Sequence, residues 1–275
     1  MKALGRLGRI LGTQRSADAD TLALQTGLAQ LAAGRHAEAI VTLTALIDRD
    51  AANPVAYYGR AQALTASGRH DEALADLDRA LALDPHAAQP LRARGLLRRK
   101  LGRPDAALGD LDRAVALAPT DLAIRQDRAM THRLAGRFDA ALADYSAALD
   151  LAPDDPDIWH ARGICHRKRG DEAAAVRDLS ETIRRNPQDA YACYNRGLAL
   201  LALGRHAEAI PDFAQTVAFN PVFAEAYLHL ATCHAARNEP APAHTALHRA
   251  LTLDPTLAAR AQDEWAAWAS GPVIE

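Results

Sequence analysis

One recurring residue pair and one single pair in this chain have the types and spacing to do chemistry. Asp76, Asp110, Asp144, Asp178 and Asp212 each follow an arginine by sixteen residues, the partners being Arg60, Arg94, Arg128, Arg162 and Arg196. A guanidinium fork and a carboxylate form a bidentate ion pair, so this recurrence predicts structural pairs rather than a row of acids lining a binding surface. His244 and His248 stand at i,i+4, the spacing of two metal ligands on one helix face. No HExxH pattern accompanies them, and two ligands fall short of the three or four that a site needs, so no metal is expected. A P-loop, a GxSxG elbow, a dinucleotide fingerprint and a zinc-hydrolase set are all missing from the sequence. The expectation is therefore a non-enzymatic protein with no catalytic residue and no cofactor.

The composition favours close-packed helices. Hydrophobic residues make up 49 % of the 275 residues and aromatics only 5 %, so the apolar mass is largely Ala and Leu. A formal net charge of −2 argues against general nucleic-acid binding by charge alone. Lysine occurs only at Lys2, Lys100 and Lys168, and arginine supplies nearly all the positive charge. Cys165, Cys193 and Cys233 are odd in number and lack CxxC spacing, which reads as reduced thiols in the cytoplasm rather than disulfides or a thiolate metal site. No stretch of 18 or more residues is apolar throughout, so no transmembrane segment is expected. Arg6 and Arg9 interrupt the N-terminal segment, which lacks the apolar core of a secretory signal. Leu4, Leu7, Ile10 and Leu11 share one helical face of that segment, which could make weak contact with an anionic membrane surface.

The elements that must position these residues repeat every 34 residues. Alanine recurs at Ala39, Ala73, Ala107, Ala141, Ala175, Ala209 and Ala243, and twelve residues before each stands Gly27, Ala61, Gly95, Ala129, Gly163, Gly197 or Ala231. Between the two small positions lies Gly34, Gly68, Gly102, Gly136, Gly170 or Gly204, with Asn238 in the last case. Asn is the other residue that tolerates the left-handed conformation ending a helix. A helix that stops at each glycine and a second that starts shortly after it would form a hairpin, its helices brought close by the two small residues. Leu43, Leu77, Leu111, Tyr145, Leu179, Phe213 and Leu247 fill the seam. One hairpin cannot bury its apolar face alone, so the units must stack.

These positions resemble the tetratricopeptide repeat family, whose period is about 34 residues. The resemblance implies an all-α fold, a right-handed α-solenoid of stacked helix–turn–helix hairpins. It covers seven units: 20–53, 54–87, 88–121, 122–155, 156–189, 190–223 and 224–257. Residues 1–19 form a basic N-terminal segment, disordered or capping, and 258–275 a C-terminal capping helix and tail in which Trp265 and Trp268 cover the last repeat. Arg125 and Cys193 depart from the family by standing where it favours Trp, and Pro211 lies inside a second helix, where it removes a hydrogen bond.

In the family the first helix of each unit lines the concave face, where partner peptides commonly bind. Projected onto this chain, that implies a basic groove containing Arg92, Arg99, Lys100, Arg133, Arg167 and Lys168, with Gln126, Met130 and His160 among them and Asp127 and Asp157 as acids. Tyr58 borders it on one side, and Tyr191, Tyr194 and Asn195 on the other. Such a surface suits an acidic peptide or a terminal carboxylate on another protein. The function expected is a protein–protein interaction scaffold or adaptor. The alternatives are a regulatory or substrate-recruiting subunit of a separately encoded enzyme, and an RNA-binding helical repeat. The scarcity of stacking aromatics in the groove counts against RNA.

Overall fold

A computed structural model of the protein describes residues 18–261. Helix α1 covers residues 18–32 and is followed by α2 (His36–Arg49), α3 (Pro54–Ala66), α4 (His70–Leu83), α5 (Ala88–Lys100), α6 (Pro104–Leu117) and α7 (Leu122–Leu134). Then come α8 (Phe138–Leu151), α9 (Pro156–Arg169), α10 (Glu172–Arg185), α11 (Ala190–Ala202), α12 (His206–Phe219), α13 (Ala224–Ala236) and α14 (Pro240–Leu253), with a 3-10 turn at Pro255–Leu257. No strand occurs among the described residues. The architecture is an all-α solenoid in which, from α2 to α7 and from α8 to α14, each helix packs on the next in sequence. It divides into two compact units, residues 1–135 and 136–275, so the division falls within the span 122–155. The N-terminal residues Leu4, Leu7, Ile10 and Leu11 and the C-terminal Trp265 and Trp268 lie outside the described residues.

The turns follow from backbone conformation. Gly34, Gly68, Gly102, Gly136, Gly170 and Gly204 all have φ between 70° and 87°, and Asn238 has φ 57°. These are left-handed values that glycine adopts without strain and that Asn tolerates. At Gly102 the amide donates to Arg99 O at 3.0 Å and that of Arg103 to Arg98 O at 2.9 Å, which satisfies carbonyls left open at the end of α5. Starts are set by Pro54, Pro104, Pro156 and Pro240 in the first turn, and by side chains that accept from the new helix. Asn53, Asp121, Asp155 and Asp189 each cap a first helix in this way.

The small residues bring the helices together. At Gly197 an added Cβ would stand 2.9 Å from Phe213 Cε1, and at Gly163 2.9 Å from Leu179 Cγ. In the first unit, Ala61, Leu64, Ala73, Leu77 and Leu97 form one buried cluster, and Leu81, Leu91, Ala114, Val115 and Ile124 another. In the second, Leu200, Ala209, Phe213 and Cys233 pack together. Helix α12 runs through Pro211, which lies exposed on its outer side, and continues to Phe219.

Candidate functional site

The Arg–Asp pairs belong to the scaffold. Arg60 grips Asp76 through Nε and Nη2, both at 2.7 Å. Arg94 grips Asp110 at 3.0 and 2.6 Å, Arg162 grips Asp178 at 2.7 and 2.9 Å, and Arg196 grips Asp212 at 2.9 and 2.6 Å. All four acids are buried. The hydrogen bond to Asp76 is the main cause holding Arg60 above the ordinary arginine value, and Asp212 does the same for Arg196. Each arginine has a third arm. Nη1 reaches back to the preceding hairpin's second helix, meeting Thr44 from Arg60, Asp78 from Arg94, Ser146 from Arg162 and Ser180 from Arg196. Arg128 and Asp144 belong to one repeat but lie on the two sides of the division between the compact units. Arg128 donates to Asp112 at 3.0 Å, and Asp144 is buried.

The first unit carries part of the candidate groove on α3, α5 and α7. The first helices α5, α7 and α9 carry arginine or lysine in the last turn, whereas α3, α11 and α13 do not. A cation is favoured at a helix C-terminus by the backbone dipole, and some of these charges are consumed by the fold. Arg98 donates to Asp110 at 2.7 Å, and Arg92 pairs with Asp127 at 2.5 Å. Arg99 is different. Its Nη1 donates to Asp127 O and to Thr131 Oγ1, both at 3.2 Å, so it is positioned without meeting a carboxylate. Lys100 is exposed and makes no ion pair among the described residues. Arg133 donates to Met130 Sδ, and Gln126 is half-buried beside them in sequence. Tyr58 accepts from Gln62 at 3.1 Å, and burial raises its hydroxyl pKa against the opposing effect of Arg92.

The second unit carries the remainder on α9 and α11. His160 Nδ1 lies 3.2 Å from Asp189, which also caps α11, so an acid outside the expected set faces this histidine. Asp157 is exposed in the first turn of α9. Arg167 is half-buried and Lys168 exposed, and neither has a carboxylate partner within ion-pair distance among the described residues. Arg167 does lie close enough to Glu172 to oppose the rise in its pKa that burial causes. Asn195 donates to Tyr191 O at 2.8 Å. Tyr194 packs against Phe223 at 4.6 Å and against His229 at 6.0 Å between ring centroids, while Tyr191 stays 63 % exposed beside Phe223. Burial is the main cause that raises the Tyr194 hydroxyl, followed by the charge of Glu225. Phe223 and His229 belong to this aromatic group, yet neither carries a sequence signal beyond its residue type.

The other chemistry-bearing residues are used structurally. Trp159 Nε1 donates to Pro153 O at 2.7 Å, and its ring is flanked by Arg162 and Arg185 at 4.8 and 5.1 Å. Arg125 holds the equivalent place in α7 and keeps that bond, its Nη2 reaching Pro119 O at 2.5 Å. The departure from Trp therefore preserves the donor while changing the ring. Cys165, Cys193 and Cys233 are free and buried. Burial pushes the Cys193 thiol up to about 11 and the Cys233 thiol to about 12, so neither is a nucleophile near neutral pH. His244 and His248 are exposed, and no group of three or more potential ligands for a metal occurs among the described residues. No helix among them is long and apolar enough to cross a membrane.

Stacked hairpins with small-residue seams and left-handed turns define a helical-repeat protein. Matches to the tetratricopeptide repeat cover residues 60–135, and also 24–88, 127–190, 160–221 and 194–258. The chain belongs to the tetratricopeptide repeat family. Among solved structures, the C-terminal part of a TPR repeat-containing protein from Cytophaga hutchinsonii aligns with TM-score 0.74 at 18 % identity, covering 88 % of this chain and 98 % of that one. A tetratricopeptide repeat protein from Parabacteroides merdae aligns with TM-score 0.63 at 18 % identity over 92 % of this chain and 100 % of its own. YrrB, a TPR protein with an unusual peptide-binding site, aligns with TM-score 0.60 at 20 % identity over 68 % of this chain and 97 % of its own. At these identities the likeness is one of fold. No curated protein matches the sequence significantly.

Proposed function

We propose that the protein is a non-enzymatic interaction scaffold whose basic first-helix faces receive an acidic segment or a terminal carboxylate of another protein. One contrast carries this reading. The scaffold arginines Arg60, Arg94, Arg162 and Arg196 each hold a buried aspartate, while Arg99, Lys100, Arg133, Arg167 and Lys168 have no carboxylate partner among the described residues. Charges that the fold does not use are available to a ligand, and Arg binds a carboxylate bidentately. The peptide-binding site of YrrB, on the same fold, supports the general mode. Three buried, free cysteines support placing the protein in the reducing cytoplasm.

The test is affinity capture from the native lysate with the wild type beside an Arg99→Glu, Arg133→Glu, Arg167→Glu triple variant, its folding verified by circular dichroism. A protein retained by the wild type and lost by the folded variant is the expected result. Identical captures would assign these cations to solvated surface and end the groove reading.

A further inference from the structure

Within the first unit, a cavity of about 550 Å³ opens between α3 and α5. That is within the range of roughly 300–1,000 Å³ typical of ligand pockets. Ala66, Ala93, Leu96 and Leu97 line it, with Leu77 at its floor. Two of the polar side chains along it are already engaged inside the protein. Thr65 Oγ1 donates to Ala61 O at 2.8 Å, and the Gln62 amide donates to the Tyr58 hydroxyl. The remaining polar groups are the cations Arg99 and Lys100. Arg99 is held by Nη1 on Asp127 O and Thr131, and its Nε and Nη2 make no hydrogen bond among the described residues. Ala93 helps to open the cavity: the residue one repeat later is Asp127, which is tied to Arg92.

Resting on the reading of the basic face as a peptide site, we infer that this cavity is a side-chain pocket for an aliphatic residue set within an acidic segment. The aliphatic side chain enters between α3 and α5, and the next acidic side chain meets Arg99 and Lys100. Charge complementarity selects this occupant: apolar walls provide no partner for a polar side chain, and two cations without carboxylate partners border those walls. A basic surface alone would hold any acidic segment, whereas the pocket discriminates among acidic segments by their aliphatic residue.

The probe is a fluorescein-labelled, C-terminally amidated peptide, Gly-Ser-Asp-Leu-Glu-Ser-Gly, with Ile, Val and Met versions. The controls replace Leu by Ser, or replace Asp and Glu by Asn and Gln. Anisotropy is measured on the full chain. The expected result is binding of at least one aliphatic peptide about tenfold tighter than the Ser control, with binding lost in the Asn/Gln control. That preference should vanish in Ala93→Phe and in Ala66→Trp, which fill the cavity and leave the cations intact. Ala66 is exposed, so Ala66→Trp decides if Ala93→Phe does not fold. Equal binding of the aliphatic and Ser peptides would overturn the pocket and leave the basic-face reading standing. An aliphatic preference that survives both folded variants would also overturn the pocket. No binding of any acidic peptide up to about 1 mM would overturn the pocket and the acidic-segment reading together.

Discussion

Arg94 holds Asp110 of its own hairpin through Nε and Nη2, and with Nη1 it holds Asp78 of the hairpin before, at 2.6 Å. The motif Asp-Leu-Asp-Arg-Ala at residues 76–80 and 110–114 thus contains two acids with different duties. Its first aspartate receives the arginine of the same hairpin, as Asp76 does from Arg60 and Asp110 from Arg94. Its second receives the arginine of the next, as Asp78 does from Arg94 and Asp112 from Arg128. In the second unit Ser146 and Ser180 take the second duty. One side chain therefore links three helices, and in a repeat protein such interfaces between neighbours supply much of the stability.

The two arms of Arg94 differ in environment, so their loss should differ in cost. Asp110 is buried, and removing its charge leaves Arg94 and Arg98 without their shared partner. Asp110→Asn is expected to cost about 3 kcal/mol, the scale for breaking a buried pair. The Asp78 side chain is 58 % exposed, and Asp78→Asn is expected to cost at most about 1 kcal/mol. Urea unfolding of the two variants checks this ordering; equal losses would mean that burial does not separate the arms.

How much of this was legible in the sequence depends on how strictly residue type repeats. The turn glycines are legible because only Gly, or Asn as at Asn238, holds a positive φ cheaply, so selection of type follows geometry. The third arm of each arginine is not, because Thr44, Asp78, Ser146 and Ser180 share only an oxygen, and no single residue type marks the position. Arg125 hides a conserved geometry behind a changed residue, since the bond to Pro119 O needs a donor rather than an indole. On the basic faces, sequence spacing names which cations lie on first helices but not which are neutralised. Arg92 and Arg99 sit on the same helix, yet only Arg92 meets a carboxylate, because that depends on the reach of each side chain to Asp127.

Gly197 faces Phe213 across the seam of its hairpin. An added methyl would stand 2.9 Å from Phe213 Cε1 and 3.0 Å from Cζ, and Phe213 is fully buried. Gly197→Ala is expected to destabilise the chain by about 1–3 kcal/mol through overpacking, outweighing the gain in helix propensity. Adding Phe213→Leu, the residue most hairpins carry there, should recover part of the loss. Thermal unfolding of both variants measures it, and a stabilised Gly197→Ala would show that the seam has slack.

Pro211 lies well inside α12, whose first residue is His206, and has no amide hydrogen to give to Ala207 O. Its ring is exposed, so no packing is lost when it is replaced. Pro211→Ala is expected to stabilise the chain by about 1–3 kcal/mol, up to the full difference in propensity. A shift in the urea midpoint measures the gain; an unchanged or lower midpoint would mean that the proline relieves a strain that alanine restores.

The buried cysteines predict both a reactivity and an alkaline dependence. At pH 8 the folded chain should leave a colorimetric disulfide reagent essentially unreacted, and unfolding in urea should release three thiols, since Cys165, Cys193 and Cys233 are all free. Burial raises Cys193 from the ordinary 9.0 to about 11, so between these values the folded chain keeps a proton that the unfolded chain releases. The unfolded state then binds fewer protons, and the contribution of this thiol to stability is present below pH 9 and falls as pH rises towards 11. Cys233, raised to about 12, adds to the same fall. Relative to the wild type, a Cys193→Ala, Cys233→Ala variant should therefore gain stability as pH is raised from 8 to about 10.5, whatever fixed cost the two substitutions carry. Urea midpoints of both proteins across that range decide it, and a difference that stays constant with pH would show that the buried thiols do not titrate differently in the two states.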